Sequence, residues 1–213
     1  MDTTTTDTLK IAVTGGAGSG KTYVCNRLKE LGLKVISSDS LAKEVVAPGA
    51  PAYQKIVDYF KDKILLPDGN LNRPKLRQII IKDAAARAAL EHCIHPEITK
   101  LVQLKIAQAR QDGERFVLIE VPLLFELGMQ DQFDVIVMIS AARELRIQRL
   151  MERDNVIRNE AEELINVQLP DDEKEKQADF VIKNNGSIDQ LMRSVDLFYQ
   201  KHCQIYGKRI KSP

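Results

Sequence analysis

The stretch from Gly15 to Thr22, GGAGSGKT, constrains the fold of this chain more than any other segment. It places four glycines and a lysine in eight positions, directly after the apolar run LKIAVT at 9–14. A glycine inside ordered structure costs about 0.5–1 kcal/mol relative to alanine. The loop must therefore need bare backbone at points where a side chain would be in the way.

This stretch matches the pattern G-x-x-x-x-G-K-[ST] in full, between a predicted strand and a predicted helix. Glycines let backbone N–H groups turn toward phosphate oxygens, and the following helix adds its positive dipole end. The lysine of such a loop reaches the β and γ phosphates, and its hydroxyl residue binds Mg²⁺. The alternative is a glycine-rich turn without a ligand, but the complete match favours a nucleoside triphosphate site. Its predicted residues are Gly16, Ala17, Gly18, Ser19, Gly20, Lys21 and Thr22.

Five apolar segments alternate with helical patterns along the chain. The predicted strands are 9–15, 33–39, 115–124, 133–140 and 178–186. The predicted helices are 20–31, 142–176, 187–203 and a long helical stretch over 40–112, broken at the turn-rich residues 47–51 and 66–74. Apolar strands separated by helices are typical of a parallel sheet covered on both faces. The sequence thus predicts an α/β, three-layer P-loop NTPase fold with a five-stranded parallel sheet.

Charge and hydropathy exclude several classes of partner. The 31 basic and 30 acidic side chains leave a net charge of +1, which argues against a nucleic-acid partner bound through bulk charge. No window approaches about 18 uninterrupted apolar residues, so we expect no transmembrane helix. The first residues, MDTTTTDT, lack the basic and apolar regions of a signal peptide. The three cysteines fit neither a disulfide framework nor a metal site, so a cytoplasmic location is expected.

Two carboxylates near predicted strand ends are candidates for chemistry at a nucleotide. Asp39 ends the second predicted strand, where its carboxylate can approach a metal ion and an acceptor hydroxyl; alternatively it caps a helix that begins at Ser40. Glu120 ends the apolar run FVLIE and could hold Mg²⁺ through water. The alternative for Glu120 is a carboxylate that accepts hydrogen bonds from neighbouring N–H groups. The residues alone leave both choices open.

The segment after the fourth predicted strand is rich in arginine. Arg149 and Arg153 are four residues apart, so they share one face of the predicted helix, which also carries Arg143 and Arg146. In small kinases a lid at this place delivers guanidinium groups to phosphates and supplies charge to the transition state. The alternative is a solvated basic face paired with neighbouring acidic residues such as Glu152.

With these pieces in place, the sequence closely resembles the dephospho-CoA kinase family over residues 9–205. The segments that carry the resemblance are VTGGAGSGKT, VISSDSLAKEVVAPGAPAY, LPDGNLNRPKLRQIIIKD, HPEI, VPLLFE, RLMERD and ADFVIKNNGS, in that order. A P-loop alone indicates only a superfamily, whereas SSDSLAKEVVAPGAP followed by HPEI and PLLFE is much more specific. The resemblance implies transfer of the γ-phosphate of ATP to the ribose 3′-hydroxyl of dephospho-CoA, with Mg²⁺, as the last step of coenzyme A synthesis.

The resemblance also implies one unit over 9–205 with three parts. The nucleotide-binding core takes 9–39, 113–141 and 177–205, the helical CoA-binding insertion takes 40–112, and the lid takes 142–176. The implied partners are ATP and dephospho-CoA, without nucleic acid or membrane. We expect a monomer or a weak homo-oligomer.

Family residues can be carried over to matching positions of this chain. The catalytic aspartate falls on Asp39, which with Thr22 is expected to bind Mg²⁺, and Lys21 is the catalytic lysine of the loop. The lid arginines fall on Arg149 and Arg153. Further nucleotide contacts are expected from Asn184 and Gly186, lid matches are Gln168 and Lys174, and the expected substrate contacts are His95, Pro122, Leu123, Leu124 and Glu126. The chain departs from common family residues at Ala17 and Ser37.

Other interpretations stay open at this point. Taken alone, His95 is predicted to be a helix-breaking loop residue rather than a residue that binds the substrate. The chain could be another P-loop small-molecule kinase, of the nucleoside monophosphate or gluconate type, or a nucleotide-binding regulator without turnover. Asp39 and the lid arginines argue against a regulator, because a sensor needs neither a base nor a clamp for the transition state.

Overall fold

The computed structural model describes residues 8–204 and contains a five-stranded parallel sheet. Its strands are β1 (Leu9–Thr14), β2 (Lys34–Ser37), β3 (Phe116–Glu120), β4 (Val135–Ser140) and β5 (Phe180–Lys183), in the order β2-β3-β1-β4-β5. The central strand β1 pairs in parallel with β3 and with β4, and Val13 lies opposite Glu120 and Val137. The predicted α/β fold with a five-stranded parallel sheet is confirmed.

Helices α1 (Lys21–Glu30) and α9 (Ile188–Phe198) form an apolar core with the sheet. The buried residues of this core include Ile11, Val13, Val24, Leu28, Leu118, Val137, Ile139, Leu191 and Val195. Helix α9 begins at a capping box, because the side chains of Ser187 and Gln190 each accept a hydrogen bond from the other residue's N–H group. The described chain continues after α9 as a short π-helical turn, Tyr199–Gln204.

The described chain divides into two compact units. The first contains the residues before Ser37 and those after Gln108, including the core of the sheet. The second, Ser37–Gln108, contains α2 (Ser38–Val45), α3 (Pro51–Phe60), α4 (Arg73–Lys82) and most of α5 (Ala84–Gln111). It has its own apolar core, which includes Val45, Ala52, Ile56, Ile64, Leu76 and Leu90. Its role as a CoA-binding insertion stays a prediction.

The chain after β2 differs from the sequence prediction. Strand β2 ends at Ser37, and α2 begins at Ser38 with Ser37 as its N-cap residue. Asp39 is therefore the second residue of α2. The predictions that Asp39 ends a strand and that it caps a helix beginning at Ser40 are both wrong, because the helix begins earlier. The side chain of Asp39 lies outside the part of the chain that the structure describes.

Helix α5 runs through the His95-Pro96 pair. Both residues are exposed, and Pro96 lies inside the helix. Proline removes one backbone N–H donor, but the flanking turns keep their own hydrogen bonds, so the helix continues. The reading of His95 as a helix-breaking loop residue is therefore wrong.

The predicted single helix over 142–176 is three helices in the structure. They are α6 (Arg143–Asp154), α7 (Arg158–Asn166) and α8 (Asp171–Glu175). Helix α6 ends at Asn155, whose φ of 53° is left-handed, and Pro170 precedes α8. The prediction missed these turn residues, which interrupt the helical hydrogen bonds. Apolar residues of α6 and α7 pack together, namely Ile147, Leu150, Ala161 and Ile165.

The ends of the chain and its cysteines complete the description. Residues 1–7 of the predicted polar N-terminal stretch lie outside the described residues, whereas Thr8 is buried and its hydroxyl donates to Glu114 O at 2.8 Å. No helix within 8–204 is long and apolar enough to cross a membrane. All three cysteines are free and buried, and burial raises the pKa of the Cys25 thiol to about 12. Because the thiolate is the reactive form, this thiol is inert at neutral pH.

Candidate active site

The glycine-rich loop joins β1 to α1, as predicted, and its glycines are needed for two reasons. Gly18 and Gly20 have φ angles of 75° and 95°, which side chains other than glycine rarely adopt. Protein groups also approach the loop closely. A Cβ atom on Gly15 would collide with Ile139 O in β4, and one on Gly20 would collide with the Asn184 amide. The bare backbone predicted from the sequence is therefore required for packing of the loop against its own chain, and its contact with a ligand stays a prediction.

Lys21 is the first residue of α1 and turns back over the loop. Its Nζ donates to Gly15 O at 2.7 Å and to Gly16 O at 3.1 Å. Burial lowers the pKa of this ammonium group to about 8, and the negative charge of Glu120 opposes that decrease. At neutral pH the group is therefore still mostly protonated. The next residue in the chain, Thr22, is exposed.

Two other predicted residues, Asn184 and Arg149, lie against the same loop. Asn184 follows β5 and is buried, and its Nδ2 donates to Ser19 O at 2.8 Å. The guanidinium of Arg149 donates to Asn184 O at 3.1 Å and to Gly18 O at 3.4 Å. The structure thus brings Lys21, Arg149 and Asn184 together at the phosphate-binding loop.

Arg153 and Gly186 have other surroundings. Arg153 is exposed and its guanidinium pairs with Asp154 at 2.7 Å. A Cβ atom on Gly186 would collide with the side-chain oxygen of Gln190, which belongs to the capping box of α9. The capping box of α9 therefore already explains why position 186 is a glycine. Contacts of Arg153 and Gly186 with a nucleotide stay predictions.

The segment Pro122–Glu126, predicted to contact the substrate, follows β3. Leu124 is fully buried and fills the core, whereas Leu123 is 40% exposed and Pro122 is half-buried. The carboxylate of Glu126 accepts a hydrogen bond from the Leu169 N–H group at 3.1 Å. The exposed His95 lies in the second unit. Substrate contacts of these residues stay predictions, with Leu123 the most accessible side chain of the segment.

The sequence analysis placed Arg146 on the arginine-rich helix and Gln168 in the lid, but it did not predict that these side chains contact the loop. Arg146 is 4% exposed, and its Nε donates to Ala17 O at 2.8 Å. Gln168 Oε1 accepts from the Ala17 N–H group at 2.9 Å. The available signals were the i,i+3 spacing of Arg146 and Arg149, which places them near one another on α6, and the family match at Gln168. A spacing pattern could not tell which arginine of this helix is buried.

Lys174 is a second buried cation in this region. It is 1% exposed, and its Nζ lies 3.3 Å from Glu126 and 3.5 Å from Asp171. Lys174→Met is expected to lower the free energy of unfolding by about 3 kcal/mol, because two largely buried carboxylates lose their shared cation. Urea unfolding measures the loss, and Lys176→Met, at an exposed lysine of the same region, is the matched control. A loss no larger than that of the control would contradict the structural role of Lys174.

A glycine-rich loop between β1 and α1, with a half-buried lysine turned over it and arginines from a following helix beside it, on a parallel α/β sheet, defines a P-loop kinase. The model of the dephospho-CoA kinase family matches residues 9–190. The chain belongs to this family, as the resemblance of its sequence predicts.

Individual relatives agree with that assignment. The dephospho-CoA kinase of Moorella thermoacetica is 41% identical over 192 residues, which cover 90% of this chain and 91% of that protein. The dephospho-CoA kinase of Bacillus licheniformis is 39% identical over 181 residues, covering 85% of this chain and 90% of that protein. The solved structure of dephospho-CoA kinase from Campylobacter jejuni superposes with a TM-score of 0.69 at 27% identity, covering 90% of this chain and 96% of that one.

Proposed function

We propose that this chain transfers the γ-phosphoryl group of ATP to the ribose 3′-hydroxyl of dephospho-CoA, giving coenzyme A and ADP. The observation that carries the proposal is the loop Gly15–Thr22 with Lys21 turned over it, in a member of the dephospho-CoA kinase family. The bond from the 3′-oxygen to the γ-phosphorus forms, and the bond from that phosphorus to the β–γ bridging oxygen breaks. The hydroxyl gives up its proton.

The nucleotide half of the reaction is assigned to the loop. Phosphoryl transfer needs positioning and charge stabilisation more than covalent chemistry from the protein. The Ala17 and Ser19 N–H groups donate to Gln168 and to Gly16 O, so the other backbone N–H groups of 16–22 are the proposed donors for phosphate oxygens. Lys21 supplies an ammonium beside them. Arg149, which already donates to Gly18 O and Asn184 O, supplies a second cation at the edge of the loop. Arg153 is proposed to join the phosphates from the same helix.

Mg²⁺ is the proposed metal, with Thr22 and Asp39 as the residues that would hold it. The donor chemistry fits, because a hydroxyl and a carboxylate are the hard oxygen ligands that Mg²⁺ prefers. The exposed Thr22 hydroxyl lies one residue from Lys21, and the buried Glu120 carboxylate ends the strand beside β1. When bound, the ion neutralises charge on the β and γ phosphates.

The acceptor half of the reaction is assigned to Asp39 and to the second unit. Asp39 lies in the first turn of α2, at the start of that unit. A carboxylate that orients the hydroxyl and accepts its proton typically contributes ~10²–10⁴-fold to the rate. Dephospho-CoA carries an adenosine, a pyrophosphate and a pantetheine arm, so a site for it needs more surface than the loop region offers.

Hydrogen exchange tests whether the second unit binds the acceptor. Dephospho-CoA is expected to protect backbone amides within 40–112, and ATP alone is expected to protect those of 15–22, because each ligand orders the segment that it contacts. Mass spectrometry of peptides from both segments measures the two patterns. Equal protection of 40–112 by both ligands would remove the assignment of this unit to the acceptor.

A panel of acceptors tests the proposed function against other kinases. ADP release is measured with ATP, Mg²⁺ and one acceptor at a time: dephospho-CoA, cytidine monophosphate or gluconate. The proposal predicts turnover with dephospho-CoA. With cytidine monophosphate or gluconate, ADP release should stay at the rate seen without an acceptor. Faster turnover of either competitor would point to another class of small-molecule kinase. ATP binding without turnover of any acceptor would favour a regulator.

A further inference from the structure

We propose that Arg146 and Gln168 are positioning residues that fix the conformation of the phosphate-binding loop by holding the Ala17 residue from both sides. The inference deepens the proposed function and rests on it for the identity of the nucleotide. Arg146 comes from α6, and Gln168 comes from the turn between α7 and α8. Both therefore reach the loop from the segment after β4.

The grip on Ala17 uses both polar groups of its backbone. Nε of Arg146 donates to Ala17 O at 2.8 Å, and Oε1 of Gln168 accepts from Ala17 N at 2.9 Å. Nη2 of Arg146 also donates to Gln168 Oε1 at 3.3 Å, so the two side chains support one another. Since the N–H and C=O groups of one residue are both fixed, the loop cannot rotate its backbone at this point without breaking a hydrogen bond.

The glycines of the loop fit around Arg146. A Cβ atom on Gly16 would collide with the guanidinium group, and one on Gly18 would lie 2.7 Å from Arg146 O. The loop therefore needs glycine at these two positions partly because Arg146 packs directly against its backbone. The close packing leaves Arg146 only 4% exposed.

A line of alternating charges keeps the buried guanidinium in place. Nη1 of Arg146 pairs with Asp171 at 2.8 Å, and Lys174 lies 3.5 Å from Asp171 and 3.3 Å from Glu126. Two cations and two anions balance, which is what buried charges require. Because Glu126 belongs to the segment Pro122–Glu126, the line joins the predicted substrate side of this unit to the loop.

The described contacts separate positioning from catalysis. All three nitrogens of the guanidinium contact protein groups, on Ala17, Gln168 and Asp171. Arg146 therefore acts on the nucleotide through the loop. We infer that the conformation held in this way is the one that binds ATP. Holding it in advance saves binding energy that would otherwise go into ordering the loop, so loss of either holding side chain should lower the affinity for ATP.

The test compares Arg146→Gln with Arg143→Gln in the full chain. Arg143 lies one turn earlier on α6, is exposed and donates to Asn166. For Arg146→Gln we expect the dissociation constant and the KM for ATP to rise about 10-fold or more. Amide exchange of the peptide over 14–24 should become faster, while the KM for dephospho-CoA changes little. Arg143→Gln should behave as the unchanged protein in all four measurements.

Two further variants separate loop positioning from folding stability. Arg146→Lys keeps a charge for Asp171 but lacks the planar fork, so it should recover unfolding free energy while ATP affinity stays low. If Arg146→Gln does not fold, Gln168→Ala tests the proposal instead, because it releases the Ala17 N–H group. This variant should weaken ATP binding and make amide exchange of the loop faster. ATP affinity and loop exchange within twofold of the unchanged protein in the folded variants would overturn the proposal. Because ATP binding and exchange are measured without acceptor, failure of the proposed transfer to dephospho-CoA would be seen separately.

Discussion

Asp39→Asn is expected to lower kcat at least ~100-fold at saturating Mg²⁺, while the protein stays folded and still binds ATP. A ribose hydroxyl is a poor nucleophile at neutral pH, and asparagine cannot take its proton. The substitution leaves Lys21 and the loop amides unchanged, so they should still bind the phosphates of ATP. The variant should therefore lower kcat rather than the affinity for ATP. Steady-state kinetics with dephospho-CoA, after a full Mg²⁺ titration, measures it.

The structural alternative for Asp39 makes a different prediction. Asp39 is the second residue of α2, so its negative charge can stabilise the helix through a favourable interaction with the helix dipole, worth about 0.3–1 kcal/mol. That role would leave turnover of the folded protein near normal. Asp58→Asn is the matched control, because Asp58 is an exposed aspartate on α3 of the same unit. Normal kcat in folded Asp39→Asn would return this residue to a structural role.

Lys21→Ala is expected to lower kcat by about 10²–10³-fold, because the ammonium that follows the transferring phosphoryl group is lost. The fold should survive, since the variant removes a largely desolvated charge and leaves the core residues of α1 in place. The kinetics are paired with thermal unfolding. Lys29→Ala, at an exposed lysine near the end of the same helix, controls for lost charge.

Lys21→Arg should fail as well. A planar guanidinium cannot replace a compact ammonium that fits between Gly15 O and Gly16 O at 2.7 and 3.1 Å. If Lys21→Ala keeps the kcat of the Lys29→Ala control, the assignment of this loop to the γ-phosphate is wrong.

The fold was largely predictable because its signals are local. The β-branched apolar runs gave all five strands, and Gly20 and Gly32 bracket α1 as expected. The errors fell where a turn depends on one residue. Asn155 adopts a left-handed conformation at the end of α6. Pro96 lies inside α5, although a proline usually interrupts a helix. The first signal was local but weak, because asparagine only sometimes ends a helix in this way. The second outcome goes against the local propensity of proline.

The candidate site was predictable only in part, for a similar reason. Lys21 and Thr22 belong to a contiguous pattern, so the sequence places them directly. Arg146 reaches Ala17 across 129 positions of sequence, and Gln168 reaches it across 151. The pattern of charges on α6 does not show which side of the helix is buried, so the contacts behind the loop appear only once α6 and the turn between α7 and α8 are placed.

Transfer of labelled phosphate to dephospho-CoA tests the central claim most directly. The purified chain is incubated with Mg²⁺, dephospho-CoA and ATP labelled at the γ-phosphorus, and the product is separated beside authentic coenzyme A. The account predicts label that co-elutes with coenzyme A and is released by a 3′-nucleotidase, formed about 10²–10³-fold more slowly by Lys21→Ala. Label that stays in ATP or inorganic phosphate, or that enters any position other than the 3′-phosphate, would contradict it.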